Sequence, residues 1–234
     1  MLAVLKETAP DIACLQELTV SHPHHNVGVH VPDFLAKGMG YNCYFKESQT
    51  EMFEGELRGF GNAILSRYPI SDTRFVYLQE PLDPNIHDAD YADEGRAYIE
   101  AMLDVGGAPL TVGTTHAAYA HMFEQSVAKV AEASKILAAV ADKRERFMFC
   151  ADLNATPDSL IVTELSKLFQ NAGPAFEENT WTNKPFSYKG FDAMSLDWRI
   201  DHCFATRDIR INSAKVVQTP HSDHLPILVG FDFT

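Results

Sequence analysis

Four short polar clusters, each at one end of an apolar, strand-like run, constrain this chain more than any other feature. Gln16-Glu17 closes DIACLQE, and Asp152-Leu153-Asn154 closes RFMFCADLN. Asp201-His202 opens IDHCFAT, and Ser222-Asp223-His224 opens SDHLPILVGF. A strand that ends on such a cluster and one that starts on another bring the two together when they lie antiparallel. All four then meet on one rim of a sheet, an arrangement that suits a hydrolytic centre.

The runs between the clusters point to a sheet-rich α/β chain. Segments 11–17, 41–47, 61–70 and 73–80 are predicted strands. Segments 96–105 and 109–116 form a hairpin about Gly106-Gly107, 147–151 is a further strand, and pieces near 180–182, 198–206 and 214–232 complete the set. Residues 2–8 read as the tail of an amphipathic helix ended by Pro10, with a short helix near 32–38. Phe123, Val127, Val130, Leu137 and Val140 recur at helical spacing and predict a long helix over 121–142. Asp158 is read as the N-cap of another helix over 158–170. Many strands with few helices predict two sheets packed face to face, with helices outside. No repeat or linker divides residues 1–234, so one domain is expected.

Charge narrows the partners. A net charge of −13, with no Lys/Arg block, repels nucleic acid at long range, although a bound divalent cation inverts the field locally. Cys14, Cys43, Cys150 and Cys203 show no C-x-x-C spacing and read as reduced, mostly buried residues of a cytoplasmic protein. No apolar stretch approaches the roughly 18 residues of a membrane span, and no signal-peptide pattern precedes Glu7.

The clusters carry oxygen-rich chemistry. Magnesium and manganese take carboxylate oxygens and keep waters that a phosphate can replace. Glu17 and Asp223, each a lone carboxylate beside an apolar run, suit such a metal, although a solvated strand end explains Glu17 taken alone. Asp152 and Asn154 stand two apart, so an extended backbone sends both to one face. There the carboxylate can orient water and the amide can donate to a phosphoryl oxygen; D-x-N before Thr-Pro-Asp is equally turn chemistry. His224 can move a proton near neutral pH if Asp201 orients its other nitrogen. His116, closing LTVGTTH, is a second proton donor or phosphate ligand. Arg96 either clamps a phosphate or neutralises Asp93 and Glu94. His22, His24 and His25 in HPHH lack the helical spacing of a zinc site and read as a solvated loop.

PDIACLQE, GNAILSRYPI, the strand ending THAAY, CADLNATPDS, RIDHCFAT and SDHLPILVGFDF, in this order, resemble the endonuclease/exonuclease/phosphatase superfamily, the pancreatic-DNase-like fold. The resemblance implies a four-layered α/β sandwich of two mostly antiparallel sheets and divalent-metal-dependent cleavage of phosphoesters. It implies Glu17 as a metal ligand with Asp223 beside the metal centre, Asp152 positioning water and Asn154 on the phosphate. It further implies that Asp201 orients His224 and that His116 acts on the phosphoryl or leaving group. The superfamily begins with a strand bearing an Asn, ahead of the helix in which this sequence starts. That strand is expected to be missing from this chain, the domain being N-terminally truncated. A small phosphomonoester or phosphodiester is the expected substrate of a monomeric enzyme. A nuclease, a lipid-headgroup phosphodiesterase and a catalytically silent binding module of the same fold are the alternatives.

Overall fold

The computed structural model of the protein describes residues 1–21, 28–86 and 90–233. The HPHH string with His22, His24 and His25 lies outside the described residues, as do His87 and Asp88 of the acidic loop. Its elements are α1 (Leu2–Thr8), β1 (Ile12–Val20), α2 (Val31–Met39), β2 (Asn42–Phe53), β3 (Glu56–Ser66), β4 (Ile70–Gln79), β5 (Arg96–Val105) and β6 (Ala108–His116). There follow α3 (Val127–Val140), β7 (Phe147–Asp152), α4 (Leu160–Leu168), β8 (Gln170–Asn171), β9 (Phe186–Tyr188), β10 (Phe191–Ala193), β11 (Asp201–Ala205), β12 (Ile209–Val216) and β13 (Ile227–Phe233).

Six strands form one sheet in the order β4-β5-β6-β7-β11-β8, antiparallel throughout except for the parallel pair β6-β7. A second layer holds the antiparallel set β1-β3-β2 and the ladder β12-β13. The face between the layers is filled by Ile64, Ile99, Leu103, Leu110, Val112 and Ile209, with Ile227, Val229 and Phe231 at its margin. α3 and α4 cover the outer face of the large sheet through Ile136, Val140, Ile161 and Leu165. α1 and α2 cover the outer face of the other through Leu5 and Leu35. Helix, sheet, sheet and helix make the expected four-layered sandwich. The hairpin turns at Gly106 (φ 65°) and Gly107 (φ 88°), the two left-handed residues that a two-residue turn between right-twisted strands requires.

β1 pairs with β3, with one further isolated bridge from Val20 to His30, and β13 pairs with β12. β1 lies over β6 and β7, whereas β13 lies over β11.

Several local expectations are corrected. The predicted helix over 121–142 divides into a 3₁₀ turn at His121–Phe123 and α3, which Ser126 caps by accepting from the Lys129 N–H at 3.1 Å. Val127 is 88% exposed, and the buried stripe runs instead through Ala133, Ile136, Ala139 and Val140. Ser159 rather than Asp158 caps α4. All four cysteines are free, and only Cys203 is fully buried. Among the described residues, no helix is long and apolar enough to cross a membrane.

Candidate active site

The pairing phase of β7 and β11 explains why two carboxylates face each other. The Leu153 N–H donates to Ile200 O at 3.0 Å and the Thr206 N–H to Phe147 O at 3.0 Å. Because hydrogen-bonded and non-hydrogen-bonded pairs alternate along an antiparallel ladder, the pair Asp152–Asp201 is a non-hydrogen-bonded one, where side chains stand closest. His116 closes β6 directly beside Asp152 in the parallel register.

Glu17 reaches the same rim through a β-bulge. The register of β1 on β3 breaks between Leu15 and Leu18, and Glu17 has φ 55°. A bulge re-aims one side chain out of the ladder, while Gln16 anchors the other side by donating to Thr114 Oγ1 at 2.8 Å. Asn154 is likewise left-handed, with φ 44°, and its N–H bonds to Asp152 Oδ1 at 2.8 Å. That is the expected turn, and it holds both side chains at the site.

The histidines divide by protonation. Asn154 Nδ2 is 3.0 Å from His116 Nε2 and donates to Ala117 O at 2.9 Å. An amide nitrogen only donates, so His116 Nε2 accepts and its neutral ring carries the proton on Nδ1, 3.6 Å from Glu17 Oε1. Burial, helped by the charges of Arg96, His224 and Lys129, pushes His116 well below the usual histidine range. His224 is the opposite case. Burial opposes its charge, but Asp201 and Asp152 outweigh burial and raise it to about 10. Its Nδ1 donates to both Asp201 oxygens, at 3.1 and 3.0 Å, and Nε2 lies 3.7 Å from Asp152 Oδ2. Against the cost of burial, His224 and Thr180 hold Asp201 below the ordinary carboxylate range. Burial, reinforced by the charges of Asp201 and Glu17, lifts Asp152 to about 7.

The structure thus gathers Glu17, His116, Asp152, Asn154, Asp201, Asp223 and His224 into one cluster. Asp223 accepts from Trp181 Nε1 at 3.3 Å and contributes to the field on His224. Arg96 stands at its margin. Its Nη2 donates to Tyr91 O at 2.7 Å and Glu94 Oε2 at 3.1 Å, leaving the buried Nε without a partner. Asp152, Asp201 and His224 each offer a ligand atom within 4.8 Å of the others. Asp152, lifted chiefly by burial and further by the charges of Asp201 and Glu17, fits a neighbouring hard divalent cation, which relieves that repulsion.

Sequence reasoning missed the supports. Arg199, 2% exposed, donates to Asp201 O at 2.7 Å, Glu178 O at 2.8 Å and Ala175 O at 3.0 Å, fixing the chain where Asp201 enters. The buried pair Lys129–Glu132 grips both loops that carry site residues. Lys129 donates to Ala118 O at 2.9 Å and Leu153 O at 3.0 Å, and Glu132 accepts from the Ala118 N–H at 2.7 Å. For Lys129 and Glu132, charged residues on the core side of α3 are the sequence signal; Arg199, in the loop before β11, offered none.

The fold is an α/β sandwich whose central strands end on an acidic, histidine-bearing rim. The chain belongs to the endonuclease/exonuclease/phosphatase family, whose model matches residues 1–224. Members of the family are hydrolases acting on phosphoesters and are generally dependent on divalent metals. Among solved structures, an endonuclease/exonuclease/phosphatase from Beutenbergia cavernae DSM 12333 is similar at 21% identity and TM-score 0.69. The match covers 99% of this chain but 65% of that one, so the chain spans less than two thirds of its length. The human Nocturnin catalytic domain with bound sulfate anion is similar at 17% identity and TM-score 0.67, with 100% of this chain and 85% of that one covered. A mannosyl-6-phosphatase from Bacteroides thetaiotaomicron VPI-5482 is similar at 16% identity and TM-score 0.64, with 99% and 89% covered. No curated protein sequence matches the chain. At these identities the structures bear on the fold alone.

Proposed function

We propose that the protein is a magnesium- or manganese-dependent phosphoesterase that hydrolyses a small phosphomonoester or phosphodiester by attack of water on phosphorus. The observation that carries this reading is the opposed Asp152–Asp201 pair with His224 clamped to one carboxylate and His116–Asn154 set against the other. Glu17 and Asp223 would hold the cation, with Asp152 and Asp201 within its field. When bound, such a cation polarises the phosphoryl oxygens and neutralises charge developing on them.

Asp152, at about 7, is poised to take a proton from water near neutral pH. His224 is an imidazolium there, kept so and oriented by Asp201, and its Nε2 proton is available to the phosphoryl or departing oxygen. Both amide hydrogens of Asn154 are spent on His116 and Ala117. Contact with a phosphoryl oxygen therefore requires it to exchange one of them. His116, neutral, then accepts a hydrogen bond or supplies its Nδ1 proton. Arg96, buried with its Nη2 committed to Glu94 and Tyr91, acts on substrate through its charge.

The net charge of −13 supports a compact substrate over a nucleic acid. A monomer in the cytoplasm is the setting this reading takes. Turnover of a panel of sugar phosphates, nucleotides, phospholipid headgroups and oligonucleotides, with magnesium, manganese or chelator, tests the reading. Metal-dependent release of phosphate or alcohol from a small ester is expected. Activity that survives chelation, or is confined to oligonucleotides, overturns it. Glu17→Gln should weaken the metal Kd about tenfold, which corresponds to ~1.4 kcal/mol, without lowering the melting point; equal calorimetric affinity would take Glu17 out of the metal site.

A further inference from the structure

One rung below the carboxylate pair, the same two strands hold a pair of thiols that the hydrolytic chemistry does not use. Cys150 of β7 and Cys203 of β11 are direct cross-strand partners. The phase that makes Asp152–Asp201 a non-hydrogen-bonded pair applies two residues along, so Cys150–Cys203 is one too. Their side chains share the face of Asp152 and Asp201, since residues i and i+2 on a strand point the same way. The two Sγ atoms stand 2.8 Å apart. Non-hydrogen-bonded partners have Cα atoms about 4.5 Å apart, inside the roughly 4.4–6.8 Å that a disulfide spans. A third thiol, Cys14 of β1, crosses from the other sheet and hydrogen-bonds to Cys150.

Access is one-sided. Every other residue of β7 is buried, but Cys150 is only half-buried. Cys203, beside it, is 1% exposed. An entering oxidant therefore meets Cys150 first and finds the second thiol already in place behind it.

We propose that Cys150 and Cys203 are an oxidative modification site: a cross-strand dithiol that a hydroperoxide converts to a disulfide directly beneath the Asp152–Asp201 pair. The sulfur of Cys150 attacks one peroxide oxygen, an S–O bond forms, the O–O bond breaks, and water leaves with the thiol proton. Cys203 then displaces the hydroxyl from the sulfenic acid. An S–S bond forms, the S–O bond breaks, and a second water carries away the Cys203 proton. Two thiols lose two electrons, and hydrogen peroxide is reduced to two waters. Closure shortens the sulfur separation to about 2.05 Å and draws β7 and β11 together at the next rung. The hydrogen bond between Asp201 and His224 is the first part of the site displaced. Formation of the bond stands apart from the phosphoesterase reading; only its effect on turnover rests on that reading.

The test is intact mass and peptide mapping of the whole protein after hydrogen peroxide, then after dithiothreitol. A loss of two hydrogens, a Cys150–Cys203 cross-linked peptide and full reversal are expected. Cys203→Ala should stop at a sulfenic acid on Cys150 that dimedone captures, and Cys150→Ser should give neither product. In the unsubstituted protein, hydrolysis should fall severalfold on oxidation and recover on reduction. Cross-linking that maps to Cys14–Cys150, or peroxide that adds oxygen without any disulfide, overturns the proposal. If both variants prove insoluble, the mapping on the unsubstituted protein decides it alone. A disulfide that forms in a protein lacking phosphoesterase activity supports the site while refuting the function, so the two failures remain distinct.

Discussion

Asp152 and His224 are both raised, Asp152 chiefly by burial and His224 by the carboxylates that outweigh burial, and this sets how the metal-free protein responds to pH. The Asp152 carboxyl is raised from 3.8 to about 7 in the folded state. Its buried charge therefore costs stability increasingly as pH rises from about 4 to 7, and fully above that. His224 is raised from 6.5 to about 10, so its stabilising contribution is complete below 6.5 and is lost as pH rises through 10. Both trends lower stability toward alkaline pH, with the responsible group changing near 7. Melting of Asp152→Asn in chelator should thus exceed that of the unsubstituted protein at pH 8 and converge with it near pH 4; an equal gap at both would mean that the carboxylate is not strained. The same geometry makes Asp201 and His224 one unit, joined by bonds of 3.1 and 3.0 Å. Asp201→Asn and His224→Ala should each cut kcat by two orders of magnitude or more while altering KM little, and the double variant should be scarcely worse than either. Additive losses would show that Asp201 does not orient His224.

Elements were legible where periodicity and ends agreed, and illegible where tertiary packing chose among faces. The hairpin about Gly106-Gly107 and the strand ending at Asp152 appear as expected, because turn chemistry and an apolar run bound them. The helix over 121–142 misled, because Phe123 and Val127 continue a helical spacing that Ser126 interrupts with its cap. Phe123 serves the aromatic cluster of Trp181, Phe191 and Ile200 instead. Glu17 was read at the end of its strand, yet β1 runs on to Val20 and a bulge presents the carboxylate; bulges leave no clear mark on hydrophobic alternation. The supports Arg199 and Lys129–Glu132 were missed because burial of a charge depends on carbonyls remote in sequence.

Charge acts across the whole molecule, and the acidic loop over 81–95 is where it bears on the choice of substrate. The later half of this loop connects to the rim. Arg96 ties the Tyr91 carbonyl and Glu94 to the strand end, and Glu94 lies close enough to Glu17 to feel its charge. Asp90 pairs with Lys189 on the opposite side, in the turn between β9 and β10. The loop therefore adds negative potential on the side where a long phosphate backbone would have to lie, while a single phosphate group carrying its own cation is less affected. Screening confines this influence to about 8 Å at physiological salt, so its strength depends on ionic strength in a way that packing does not. Asp88→Asn, Asp90→Asn and Asp93→Asn together remove three negative charges from a molecule of net −13. They also free Lys189 to face the anion. Affinity for a labelled DNA duplex, measured by fluorescence anisotropy, should rise severalfold at low ionic strength and by much less at physiological salt. Hydrolysis of a small phosphoester should change by less than twofold, because none of the three is among the residues assigned to the site. If duplex affinity is the same for both proteins at low salt, the loop does not filter polyanions. The preference for a compact substrate must then come from the shape of the rim itself.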